Sequence, residues 1–102
     1  MVKVSLSVDV TSAGEVDLFS VPGEYVAYLE RLEVTNRAAS PAAVQVLFYN
    51  GAYKKVVLSK SVPAGGSVKL SLDELPTEGC PSKVSISTDQ APITVDLSVS
   101  LE

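Results

Sequence analysis

The chain has no histidine and no tryptophan, and one cysteine among 102 residues. Without histidine it lacks the commonest general base and the commonest zinc ligand, which excludes Ser-His-Asp and Cys-His nucleophile arrangements and the usual zinc sites. One cysteine closes no disulfide within the chain, so Cys80 is a free thiol or an intermolecular link, and folding in an intracellular compartment is favoured. Its neighbours Glu78, Gly79 and Pro81 supply no cation to activate it. The missing tryptophan and second cysteine also remove the disulfide-plus-Trp core of antibody-type domains.

Basic residues are scarce. Eight Lys and Arg against twelve Asp and Glu give a net charge of −4, which opposes a phosphate backbone, so nucleic acid is not an expected partner. No apolar run approaches the roughly 18 residues of a spanning helix, so membrane insertion is not expected either. The segment Met1 to Ser7 alternates apolar and polar residues, and no export signal is visible in it.

What the chain does have is alternation. Val2, Val4, Leu6, Val8 and Val10 alternate with Lys3, Ser5, Ser7 and Asp9; Ile93, Val95, Leu97, Val99 and Leu101 do the same with Thr94, Asp96, Ser98 and Ser100. Each is a strand with one face on a core and the other in water. Six more strands are predicted, over 15–21, 25–36, 43–49, 53–62, 67–72 and 83–88. In the strand from Tyr25 to Asn36 the apolar phase changes near Glu30 and Arg31, which predicts a bulge or a change of sheet there. With aromatics at 6%, the core must come from Val, Leu and Ile, with Phe19, Phe48, Tyr28 and Tyr49 as its larger inserts.

Turn chemistry separates the strands. Val21-Pro22-Gly23-Glu24 suits a type II turn, and Asn50-Gly51 between two apolar runs is the strongest hairpin signal. Val62-Pro63-Ala64-Gly65-Gly66-Ser67 and Asp89-Gln90-Ala91-Pro92 are further reversals. Helix signals reduce to Asp73-Glu74-Leu75, stopped by Pro76. The fold class is therefore all-β: a single antiparallel two-sheet β-sandwich of about eight strands spanning 1–102, jelly-roll or Ig-like Greek key.

No catalytic, cofactor-binding or metal site emerges. The carboxylate pairs Asp73 with Glu74 and Glu30 with Glu33 read as solvated charge, and Asp73, Glu74 and Glu78 lack a recognised calcium-ligand spacing. Ser59 and Lys60 point to opposite faces of a strand, so they form no dyad, and Gly65-Gly66 leads into a strand instead of a phosphate-binding helix. The candidate functional residues lie on the surface. Tyr25, Tyr28, Tyr49 and Tyr53 are of the type that interfaces favour, and Lys54 and Lys55, with Lys60, form a basic cluster. Acidic residues gather over 24–33 and 73–78; the charge clusters read first as solubility and edge protection, and alternatively as complementary patches between identical copies.

Leu32-Glu33-Val34-Thr35-Asn36, the run from Ala43 to Gly51 and the run from Val62 to Leu70 together resemble a recurring β-sandwich module. It has a V-T-N strand end, a V-x-V-x-x-Y-x-G hairpin and a V-P-A-G-G-S turn. Such modules occur in small virion proteins, namely capsid decoration and head or tail accessory proteins, and in Ig-like modules of prokaryotic surface proteins. The resemblance implies a non-enzymatic structural or interaction role with no cofactor, and as partners a homo-oligomer or other structural proteins. It places the protein in a virion, or in the cytoplasm before assembly; the alternative is an extracellular adhesion or ligand-binding module.

Overall fold

A computed structural model of the chain describes residues 2–21, 25–70 and 82–102. Its strands are β1 (Val2–Val10), β2 (Gly14–Ser20), β3 (Ala27–Asn36), β4 (Ala42–Asn50), β5 (Tyr53–Val62), β6 (Ser67–Leu70), β7 (Lys83–Thr88) and β8 (Ile93–Leu101). All predicted strands are present, with boundaries within two residues wherever the chain is described. The end expected at Leu72, the Pro22-Gly23 turn, the Asp73 to Leu75 helical turn and Cys80 lie outside the described residues.

The strands form two four-stranded sheets, β1-β8-β3-β6 and β2-β7-β4-β5, in which every pairing is antiparallel. β1 neighbours β8, β2 neighbours β7, β3 neighbours β6 and β4 neighbours β5, so the second half of the chain retraces the first. Among these strands only β4 and β5 form a hairpin within one sheet; every other connection passes from one sheet to the other.

Burial follows the alternation. Val44, Val46 and Phe48 of β4, Val84 and Ile86 of β7, and Ile93, Val95, Leu97 and Val99 of β8 point between the sheets and are buried. In β3 the partner of Leu29 is Val99 and that of Arg31 is Ser98, which leaves Glu30 as the extra residue of a bulge. One inserted residue moves Leu32 and Val34 back onto the core side, as the phase change predicts. Two of the expected core inserts are not in the core. Tyr28 is exposed and Tyr49 half-buried, both on outer faces, because Ala27 and Leu29, and Phe48, already occupy the inward parity beside them.

The hairpin after Asn50 is present, with its tip one residue later than the Asn-Gly reading places it. Asn50 pairs with Tyr53, so the two loop residues are Gly51 and Ala52. Gly51 has φ of 64°, and no non-glycine residue among those described has positive φ, the pattern of a II′ turn with glycine first. At the opposite end Gly66 N–H donates to the Pro63 carbonyl at 2.9 Å around Gly65, whose φ of 69° meets the type II requirement.

Asn36 ties that corner together. Its side chain is fully buried, donates from Nδ2 to the Ser40 carbonyl at 2.8 Å and to the Val62 carbonyl at 3.1 Å, and accepts from Ala38 N–H at 2.9 Å. Its backbone N–H donates to the Gly66 carbonyl at 2.8 Å. The V-T-N strand end and the V-P-A-G-G-S turn, separate in sequence, are thus two halves of one hydrogen-bonded corner.

Candidate functional site

The antiparallel order brings the starts of β3, β5 and β7 to the end of the sandwich where β2 and β4 finish. All four tyrosines sit near that end, but they do not share a surface. Tyr28 is on the outer face of the β1-β8-β3-β6 sheet, opposite Ser100, and Tyr25 lies in the connection before it. Tyr49, Tyr53, Lys54 and Lys55 belong to the hairpin on the other sheet.

On that second sheet a network crosses four strands. Tyr49 of β4 donates its hydroxyl hydrogen bond to Glu15 of β2, and Lys54 of β5 lies 3.5 Å from the same carboxylate. The Lys83 ammonium of β7 sits 4.2 Å from the centre of the Tyr49 ring and 3.2 Å from Asp17 of β2. Asp17 also accepts from Ser85 Oγ at 2.9 Å.

Register shows what the ring does. Tyr49 shares a row with Lys83, whereas Glu15 shares one with Ser87 and Gln45. To reach Glu15, the ring must lie across the intervening row of Leu47, Ser85 and Asp17. That explains why Leu47 and Ser85 are 3% and 0% exposed on an outward face. Tyr49 is a roof over a small second layer, pinned by charge at both ends.

Its electrostatics agree. The hydrogen bond to Glu15, helped by burial and by the charges of Glu15 and Asp17, pushes the Tyr49 phenol up to about 12. A phenol held neutral so firmly is neither a nucleophile nor a general base at neutral pH. The Asp17 carboxyl is held below its ordinary value, chiefly by the Ser85 hydroxyl and then by Lys83. Lys54 and Tyr49 are therefore committed to partners within the chain. Tyr53, 69% exposed, stands outside that network.

Of the acidic residues expected to face a second copy's lysines, Glu30 and Glu33 are engaged at home, while Glu24 and those over 73–78 lie outside the described residues. Glu30 lies 3.6 Å from Lys3 and Glu33 4.0 Å from Lys69. An open depression on the outer face of the first sheet is lined by Ser5, Ser7, Arg31, Glu33, Asp96 and Ser98, with Glu33 directly opposite Asp96. Among the described residues no group of three or more metal-ligating side chains comes together, and no helix is long and apolar enough to cross a membrane.

Which strands are the sheet edges is not written in the sequence; among the described residues they are β1, β6, β2 and β5. An edge presents unpaired N–H and C=O groups to any passing strand, and proteins blunt it with short strands, bulges or charges aimed inward. β2 carries a bulge between Asp17 and Phe19. β5 carries a bulge opposite Val46 and Leu47, and its Lys55 and Lys60 stand opposite the inward-pointing Phe48 and Val44. β1 has none of these: nine residues pair with β8 without a break, and its inward positions are Val2, Val4, Leu6, Val8 and Val10.

No family model matches the chain, and no curated protein matches it in sequence. Solved structures do match its fold. A chain from Bacillus endospore appendages, described as forming a novel family of disulfide-linked pili, superposes with a TM-score of 0.62 at 18% identity, over 98% of this chain and 84% of that one. A crystal structure of PirA superposes with a TM-score of 0.58 at 14% identity, over 96% of this chain and 93% of that one. At these identities the likeness is one of fold.

Proposed function

We propose that the protein is a non-enzymatic structural subunit that assembles with copies of itself. The observation that carries this reading is the unequal treatment of the sheet edges: β2 and β5 carry bulges, while β1 keeps a regular register over nine residues and an inward row without charge. The outer-face network points the same way, since its ionisable groups are arranged to hold strands together and its tyrosine is kept from ionising. The fold likeness to a pilus-forming chain adds support for assembly and favours a surface appendage over a virion as the setting.

Strand order supports the jelly-roll alternative over the Ig-like one, because adjacent strands in sequence repeatedly change sheet. One cysteine per 102 residues joins copies at most in pairs, so a longer array of this segment is held by non-covalent contacts. The experiment is sedimentation equilibrium across a wide concentration range: reversible association supports the reading, and a monomer at every concentration overturns it.

A further inference from the structure

We propose that β1 pairs antiparallel with β1 of a second copy about a two-fold axis at Leu6, joining the two β1-β8-β3-β6 sheets into one; this rests on the self-assembly reading above. The nine residues of β1 read Val-Lys-Val-Ser-Leu-Ser-Val-Asp-Val. Reversed, the series is unchanged except that Lys3 and Asp9 exchange places. Antiparallel pairing about Leu6 therefore sets Val against Val, Ser5 against Ser7, Leu6 against itself, and Lys3 against Asp9 twice.

An isologous interface needs this kind of self-complementarity, with each residue meeting its partner and the partner meeting it in return. Residues equally far from Leu6 on either side meet, so even positions face even ones and odd positions face odd ones. Outward-pointing backbone groups thus meet outward-pointing ones, and inward side chains meet inward ones, whichever set β8 already engages. A one-residue slip would set valines against serines and turn the second copy's apolar row to the solvent side.

The flank has something to gain from the pairing. Val2 is 49% exposed, and Val4, Leu6 and Val8 are only partly buried against the core. A second copy covers this row and supplies about one backbone hydrogen bond per residue pair. Lys3 and Asp9 are accessible for the exchange, with side chains 67% and 64% exposed, and their pairs with Glu30 at 3.6 Å and Arg37 at 3.3 Å lie in the solvent-facing row.

The test uses charge swapping in the intact chain. Lys3→Asp leaves an acid at both positions, and Asp9→Lys leaves a base at both. Each variant therefore opposes like charges in its own dimer, while the mixture restores two opposite pairs. The expected result, by native mass spectrometry and sedimentation, is a wild-type species of twice 10.7 kDa. Each variant alone dissociates at least tenfold more readily, and the mixture recovers as a heterodimer. Circular dichroism verifies that both variants fold. In a Cys80→Ser background, Leu6→Cys should in addition form a disulfide across the axis under mild oxidation. Wild-type association that neither variant weakens, or weakening that mixing does not reverse, overturns this register and leaves self-assembly standing. A wild-type chain monomeric at all concentrations overturns both.

Discussion

Replacing Asn36 by Asp should cost most of what replacing it by Ala costs, and the cost should grow with pH. The amide donates to two backbone carbonyls and accepts from one N–H, with no exposure to water. Asn36→Ala orphans all three partners. The bond to the Val62 carbonyl is buried and the other two contacts are partly so. At about 1–3 kcal/mol per buried group left unsatisfied, weighted for partial burial, the loss is about 3–4 kcal/mol. That is a large share of the roughly 5–15 kcal/mol available to a domain, and should lower the melting temperature by at least about 12 °C. Asn36→Asp keeps the shape and puts an oxygen where Nδ2 stood, against the two carbonyl oxygens. Ionisation is disfavoured there, so the folded-state pKa rises above the unfolded value of about 3.9. For a raised carboxyl, stability is greatest below the unfolded pKa, where the protonated acid still donates one bond, and is lost as pH rises through the folded pKa. Urea unfolding followed by circular dichroism should therefore show the gap between Asn36→Asp and the parent chain widening from about pH 4 to about pH 7. A gap that is constant across this range, or below about 0.5 kcal/mol throughout, would refute the view that this corner is held by a desolvated amide.

Other outcomes follow from the outer-face network and the core. In an alkaline absorbance titration one tyrosine should ionise only near pH 12; Tyr49→Phe should remove that late step and Glu15→Gln should move it down. Because the phenol's pKa is raised, stability from its hydrogen bond is present at neutral pH and lost as pH rises through about 12. Asp17 acts in the opposite direction: its lowered pKa contributes stability above the unfolded value that disappears as pH falls through the folded one, so Asp17→Asn should flatten the acid limb of a pH–stability profile. Ile86→Ala, at a site with no exposure between the sheets, should destabilise by about 2–5 kcal/mol in chemical denaturation.

Much of the fold was legible because strand alternation is a local signal. The inward valines of β1 and β8, and the phase change that makes Glu30 a bulge, depend only on neighbours a few residues away. Tyr28 shows the limit of size as a guide: its parity next to Ala27 and Leu29 points outward, although its ring suggests the core. The hairpin tip moved to Gly51-Ala52 because one glycine with positive φ suffices for a II′ turn, which leaves Asn50 free to pair. The Tyr49 network was not legible, since Glu15 lies 34 residues away and meets the ring only once β7 separates their strands. The reversible series in β1 was in plain view throughout. It acquires meaning only when β1 is an edge, and pairing order is a long-range property that similar Val and Ser alternation in several strands does not specify.

Amide hydrogen exchange along β1, measured on the unaltered chain at high and low concentration, tests self-assembly through this edge most directly. A lone edge strand protects alternate amides, those bonded to β8, and leaves the rest in water. Pairing of β1 with β1 predicts slow exchange at every amide from Lys3 to Asp9 at high concentration, with the outward-pointing half losing protection on dilution. An alternating pattern that does not change with concentration would contradict it.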